Sequence, residues 1–279
     1  MRVAVYQQEG YDRARAVCEA MSQGLRRCGD TPTVLELSKG RAQAGDGAVF
    51  YGFRDPLPRL MQEYRAAGKF AVHIDLGYWG RTDGGRNRGF HKFAVNARHP
   101  TEYFQSRKHP ADRVARFGLE VQPWKKGRHV LVCGMSAKHA RTEGLAHQEW
   151  EKGVIRRLQE VTDRPILYRP KPGDNGAAPI PGSTMASGAA IGNYLKDCHA
   201  VVSHHSNAAV DAALAGVPSF SVCGVGTAIG LTDFDQIESP IYPDGREQWL
   251  ADIAYCQFNL DEMENGTAWR HLKDDGIIK

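Results

Sequence analysis

Short apolar runs alternate with amphipathic stretches along almost the whole of this sequence, and no other feature narrows the possible folds as far. Val3–Tyr6 reads as a buried strand, and Asp12 to Cys28 carries Ala16, Val17, Ala20, Met21 and Leu25 at the spacing of one helix face, with Gly29 just past its end. Thr33–Leu37 and Ala48–Tyr51 continue as strands. Leu57–Ala67 follows as a helix, with Pro56 near its start and Gly68 after it, and Phe70–Ile74 is the next strand. Strands and helices in this order predict a parallel sheet covered by helices on both faces.

The pattern breaks at Gly84-Gly85-Arg86-Asn87-Arg88-Gly89, a loop by composition, with Phe93–Asn96 as one further strand. Pro123-Trp124-Lys125-Lys126-Gly127 reads as a connector, which places a domain boundary near residue 124. A second series begins there. His129–Cys133, Pro165–Tyr168, Ala200–Ser203 and Ser219–Val222 read as strands; Glu143–Val161, Ala189–Lys196 and Asn207–Ala215 read as helices. Arg246–Cys256 and Asp261–Leu272 are expected as terminal helices. The expected fold class is α/β, two Rossmann-like doubly wound domains over 1–124 and 125–279 facing a cleft. Ligands of such sheets sit outside the carboxyl ends of the strands, so the loops after each strand are where chemistry is expected.

Composition excludes several classes. With 279 residues, 42% of them hydrophobic, the chain can build its own cores and is not disordered. No apolar run reaches the roughly 18 residues of a membrane span. Met1-Arg2 leads straight into the first strand, without the apolar segment and cleavage site of a secretory signal. Cys18, Cys28, Cys133, Cys198, Cys223 and Cys256 lack CxxC or Cys/His zinc spacing, so reduced thiols in a cytoplasm are expected. Net charge is only +4, but residues 81–128 hold 12 basic against 4 acidic side chains, and residues 232–279 hold 4 against 11. That asymmetry calls for a reason.

The strongest local signal is His204-His205-Ser206-Asn207-Ala208-Ala209-Val210-Asp211-Ala212-Ala213-Leu214-Ala215-Gly216-Val217-Pro218. A strand ends in a polar turn, and Ser206 or Asn207 can cap the helix that follows. Free N–H groups at such a helix start suit phosphate, and Asp211, on the same face as Asn207, suits the two hydroxyls of a ribose. This segment resembles the nucleotide-sugar-binding segment of GT-B glycosyltransferases of the capsule-polysaccharide type, where an acidic residue precedes Ala-Leu-x-Gly-x-Pro. The resemblance implies nucleotide contacts from His205, Ser206, Asn207 and Asp211. It also implies a donor-diphosphate site at Cys133-Gly134-Met135-Ser136-Ala137-Lys138, through Ser136 and Lys138, and at Tyr168-Arg169-Pro170-Lys171-Pro172. Arg169 and Lys171 would neutralise charge on the leaving group without a metal ion. The implied co-substrate is a nucleotide-diphosphate sugar, a UDP-sugar first of all, with no tightly bound cofactor.

Asp75 closes the apolar strand Phe70–Ile74 and should emerge at its edge. Phage DNA-base glucosyltransferases, also GT-B proteins, place a base at a similar strand end, and the likeness implies that role for Asp75. His73 is expected to face the core by alternation, and His91 is a second candidate base in a loop. Trp79, Arg81, Arg86, Arg88, His91 and Lys92 lie in or beside the basic stretch, where cations meet phosphates and aromatic rings stack on bases. The favoured acceptor is a hydroxymethylated pyrimidine in phage-type DNA, which places the enzyme in a host cytoplasm. A capsule or lipopolysaccharide acceptor, or a non-catalytic nucleic-acid-binding protein on the same fold, are the alternatives. His204, His205 and His271 lack metal-ligand spacing with an Asp or Glu, so no metal is expected, and the oligomeric state stays open.

Overall fold

A computed structural model describes residues 1–37, 42, 44–53, 55–82, 88–101, 107–186 and 188–279. The chain divides into two compact units, Met1–His109 with Asp252–Lys279, and Pro110–Ala251. Trp124, at the expected boundary, belongs to the second unit.

In the first unit β1 (Arg2–Gln7), β2 (Thr31–Glu36), β3 (Gly47–Tyr51) and β4 (Phe70–Leu76) form parallel pairs, with α1 (Asp12–Arg27) and α2 (Leu57–Ala66) as crossovers. The strand β5 (His91–Val95) then runs antiparallel to β4. Runs such as Ala48-Val49-Phe50 and Ala71-Val72 are buried throughout, as a sheet covered on both faces requires.

The second unit opens with the single turn α3 (Asp112–Ala115) and then β6 (His129–Cys133). In place of the one helix expected over Glu143–Val161 there are two, α4 (Ala137–Thr142) and α5 (Glu149–Val161). They are separated by a turn in which Gly144 and Gln148 take φ of +74° and +61°. Next come β7 (Ile166–Arg169), the two-residue strand β8 (Thr184–Met185), α6 (Ile191–Leu195), β9 (Cys198–Ser203), α7 (Ala208–Leu214) and β10 (Ser219–Ser221). The strand order is β10-β9-β6-β7-β8, all parallel. The chain builds outward from β6 to β8, then returns to lay β9 on the other side of β6. That reversal is where such sheets open a ligand site.

The helix α8 (Arg246–Ala254) carries the chain back into the first unit, where β11 (Gln257–Phe258) pairs antiparallel with β5. The single helix expected over Asp261–Leu272 is broken into α9 (Leu260–Glu264) and α10 (Thr267–Asp274). Asn259 and Glu262 form a capping box at the start of α9, and Gly266 (φ +85°) makes the break. Leu260, Met263, Trp269 and Leu272 complete the core that Val17, Met21 and Leu25 of α1 share with Phe70, Val72 and Ile74 of β4. Trp269 Nε1 donates to Asp30 Oδ2 at 2.6 Å, and Lys273 Nζ meets the same oxygen at 2.5 Å. Burial pushes the Asp30 carboxyl up, yet hydrogen bonds from Lys273, the amino group of Met1 and Trp269 hold it below the usual carboxylate range.

Gly24 of α1 is where the tail comes nearest, since a Cβ there would stand 2.0 Å from the Met263 carbonyl oxygen. Gly24→Ala is expected to lower the stability of the first unit by about 1–3 kcal/mol through overpacking. Trp269→Ala, which empties a buried site, should lower it by about 3–5 kcal/mol. Urea unfolding followed by far-UV circular dichroism checks both.

Candidate functional site

In the second unit the site grows from the carboxyl ends of β6, β7, β9 and β10. Register pairs Cys133 with both Arg169 and Ser203, so the loops that follow start side by side. After β6 the chain turns at Gly134. A Cβ there would lie 3.1 Å from Glu151 Oε1, and that same oxygen accepts from Met135 N–H at 2.6 Å. Ser136 then caps α4, its Oγ accepting from His139 N–H at 3.4 Å. Lys138 is exposed on the first turn of that helix.

Electrostatics ties two expected residues to one point. Burial pushes the Cys133 thiol up to about 12; Arg169 opposes this and Asp211 adds to it. A cation and a carboxylate thus both act on the last residue of β6. Arg169 also donates to the Ala189 carbonyl at 3.5 Å, and Lys171 Nζ lies 3.3 Å from His139 Nδ1. The His139 ring meets His205 edge-on at 5.0 Å. Ser206 Oγ accepts from Ala208 N–H at 3.1 Å, so Ser206 satisfies the first amide of α7, while the Asn207 side chain makes no cap bond. Asn207 and Asp211 stand one turn apart, linked by the Asp211 N–H to Asn207 C=O bond at 3.2 Å, and both are half-buried.

Sequence reasoning missed three residues here. Glu151 is buried on α5 in a stripe with Val154, Ile155 and Leu158, and an acid on an apolar face was the available signal. Gln148 bridges Tyr168 Oη at 3.1 Å and the Ala178 carbonyl at 2.8 Å, holding β7 beneath the Arg169 loop. Cys223 lies beyond β10 with Sγ 3.8 Å from His204 Nδ1, a partner that no spacing between neighbouring residues reveals.

In the first unit Asp75 is the sixth residue of β4, half-buried, with its Oδ1 accepting from Leu76 N–H at 2.8 Å. Register sets it opposite Lys92 of β5. Asp75 raises the phenol of Tyr51, where burial is the larger cause, and that of Tyr78, behind burial and Cys256. Burial drives His73 down to about 4 against the pull of Asp75, and burial with Arg13 drives His91 to the same value. One carboxylate therefore stands among neutral phenols and imidazoles, with Lys92 opposite it across the ladder. The loop that follows is set by Gln257 of β11, whose Oε1 accepts from Tyr78 N–H at 2.7 Å and Trp79 N–H at 3.3 Å.

Three residues of the expected nucleic-acid surface are turned inward, while Arg81 and Arg88 stay exposed. His91 is buried in β5 rather than placed in a loop, and Trp79 and Lys92 are also buried, the Lys92 ammonium lying 5.6 Å above the Tyr78 ring. Arg81 donates to the carbonyls of Gly77 and Tyr78 at 2.6 and 3.2 Å. Arg88 pairs with Asp261 of the acidic tail, and Arg107 donates to the Asp275 carbonyl at 2.6 Å. His109 is held by Asp252 at 2.9 Å and by Asp275 at 3.1 Å. The basic stretch and the acidic tail answer one another within the first unit. Arg86 lies outside the described residues. No helix among the described residues is long and apolar enough to cross a membrane.

No protein-family model and no curated sequence matches the chain. Solved structures do. One is Thermosulfurimonas dismutans KpsC, beta Kdo 2,4 transferase, with a TM-score of 0.55 and 9% identity over 95% of this chain and 98% of that one. A second is the beta Kdo 2,7 transferase of the same KpsC, with a TM-score of 0.52 and 11% identity over 97% and 99%. Both are glycosyltransferases, and at these identities the likeness is one of fold. The chain has a GT-B-like α/β fold.

His73 and His91 stay neutral in the fold while the unfolded chain takes up protons below about 6.5. Their contribution to stability is therefore complete above that pH and is lost as the pH falls toward 4. Each is worth about 3 kcal/mol at the acid end. Urea midpoints measured from pH 7 to 4 should fall steeply, and His91→Gln should flatten that fall by about half.

Proposed function

We propose that this protein is a glycosyltransferase that takes a sugar from a nucleotide-activated donor and joins it to an acceptor hydroxyl. The observation that carries the reading is that β6, β7 and β9 end level at Cys133, Arg169 and Ser203, with Asp211 in the first turn of the helix after β9, at the reversal point of a sheet whose fold glycosyltransferases share. A cation there compensates phosphate charge, and a carboxylate one turn into α7 accepts hydrogen bonds from ribose hydroxyls. Lys138 and Lys171, on the neighbouring loops, extend the positive edge, and Ser136, His205, Ser206 and Asn207 supply polar contacts. A UDP-sugar is the first donor to try.

Asp75 is the proposed base. It takes the proton of the acceptor hydroxyl as that oxygen bonds to the anomeric carbon and the bond from that carbon to the phosphate oxygen breaks, leaving the nucleotide with the electron pair. Burial leaves His73 and His91 poor proton acceptors, so among these side chains the Asp75 carboxylate is the group left to take the proton.

A glycan acceptor is favoured by the burial of Trp79, His91 and Lys92, three of the residues expected to meet DNA. A hydroxymethylated DNA base is the second reading, supported by the excess of 12 basic over 4 acidic side chains across 81–128.

The test incubates the protein with UDP-, GDP- and CMP-sugars and either oligosaccharides or hydroxymethylated DNA, with products read by mass spectrometry. A mass gain of one sugar on either acceptor is expected, and the absence of both transfer and donor hydrolysis across the panel would remove the proposal. Asp75→Asn should lower kcat by about 10²- to 10⁴-fold while leaving the thermal shift induced by nucleotide in place. Arg169→Ala should lower kcat/KM by roughly 100-fold and weaken that shift.

A further inference from the structure

We infer that His204, His205 and Cys223, at the carboxyl ends of β9 and β10, form a binding site for a borderline-soft divalent metal ion of the zinc type. The Nδ1 atoms of the two histidines lie 2.9 Å apart, and Cys223 Sγ lies 3.8 Å from His204 Nδ1. One ligand atom from each of the three residues falls within 4.8 Å of the others. A tetrahedral zinc ion, with bonds of about 2.0–2.1 Å to nitrogen and 2.3 Å to sulfur, separates its ligands by roughly 3.3 Å (N to N) and 3.6 Å (N to S). The His204–His205 and His204–Cys223 separations need to change by only a few tenths of an ångström to meet those values, and His205 and Cys223 already lie within 4.8 Å of each other.

The backbone holds the three residues there. Pairing of β9 with β10 runs on past Ser203 and Ser221, through Val222 N–H to the Ser203 carbonyl at 3.3 Å and Cys223 N–H to the His204 carbonyl at 2.8 Å. Gly224 then takes φ +84° and ψ −172°, a conformation open essentially to glycine, and a Cβ there would meet His205 at 3.5 Å. The turn thus brings the cysteine loop back against the histidines. The indole of Trp150 meets the His204 ring edge-on at 5.6 Å and fixes its orientation. His204 is buried, whereas His205 and Cys223 are half-buried, so the site is rigid on one side and open to an ion on the other.

The donor set selects the metal. Two neutral imidazoles and a thiolate favour zinc-type ions over magnesium or calcium, which prefer oxygen. Three protein ligands leave a tetrahedral ion one position for water or for an oxygen of a bound ligand. This inference does not rest on the transferase reading, since the geometry stands whatever the loops bind.

The test uses the full chain without a polyhistidine tag, stripped with a chelator and titrated with Co²⁺ and then Zn²⁺. One equivalent of Co²⁺ should bind with a thiolate-to-cobalt charge-transfer band, and Zn²⁺ should displace it. Zn²⁺ should also protect Cys223 from alkylation while leaving Cys28, the other half-buried thiol, reactive. Cys223→Ser should abolish the band with an unchanged far-UV spectrum. His204→Gln and His205→Gln should each weaken binding by more than the roughly 10–100-fold lost when a residue that only hydrogen-bonds a metal ligand is removed. Absence of the band in the wild-type chain, its survival in Cys223→Ser, or equal alkylation of Cys223 with and without Zn²⁺ would overturn the inference. Sugar transfer assayed on the same samples reports separately on the transferase reading.

Discussion

The parallel pairing of β9 with β6 on one side and β10 on the other decides where each functional side chain of the second unit can stand. β9 and β10 are buried throughout and β6 in all but His129, so a slip of one residue would misplace every side chain in two close-packed faces and is strongly disfavoured. With the register fixed, Cys133, Ser203 and Ser221 end level. The turn at Gly134, the histidine pair and the Cys223 loop then leave the sheet from adjacent points. Arg169 enters from β7 by the same logic. The segments that carry them are far apart in sequence, and only the ladder makes them neighbours.

Charge follows a comparable logic in the first unit. The excess of cations over 81–128 looks like a surface for a polyanion when read along the chain. The fold gives part of it another use: Arg88 meets Asp261, Arg107 donates to the Asp275 carbonyl, and Lys92 lies over Tyr78. Opposite charges concentrated in two distant segments are what one expects when those segments pack on each other. Here the pairing holds the returning tail, which also places Gln257 under the loop after Asp75.

Much of the architecture was legible because it is periodic. The β-branched run His129–Cys133 and the helix face of α1 report themselves locally, and the expected and observed elements there nearly coincide. The elements that were not legible depend on partners far along the chain. Two-residue strands such as Thr184–Met185 and Gln257–Phe258 exist only because a neighbouring strand offers its edge. The break at Gly266 needed a positive φ that a helix-period reading passes over. In the candidate site, Asp211 and Arg169 were expected from motif and strand end. Cys223 escaped because its relation to His204 is set by β9–β10 pairing, and Glu151 because one buried acid hides in an otherwise ordinary amphipathic helix.

The return of residues 252–279 to the first unit bears on how the chain is made as well as on how it is held. A ribosome releases Met1–His109 early, but α1 and β4 then lack Leu260, Met263 and Trp269, and their apolar face stays uncovered. The second unit, contiguous in sequence, has all its strands as soon as Ser221 emerges. The contiguous second unit can therefore close while the core of the first still lacks Leu260, Met263 and Trp269, the reverse of the usual amino-to-carboxyl order.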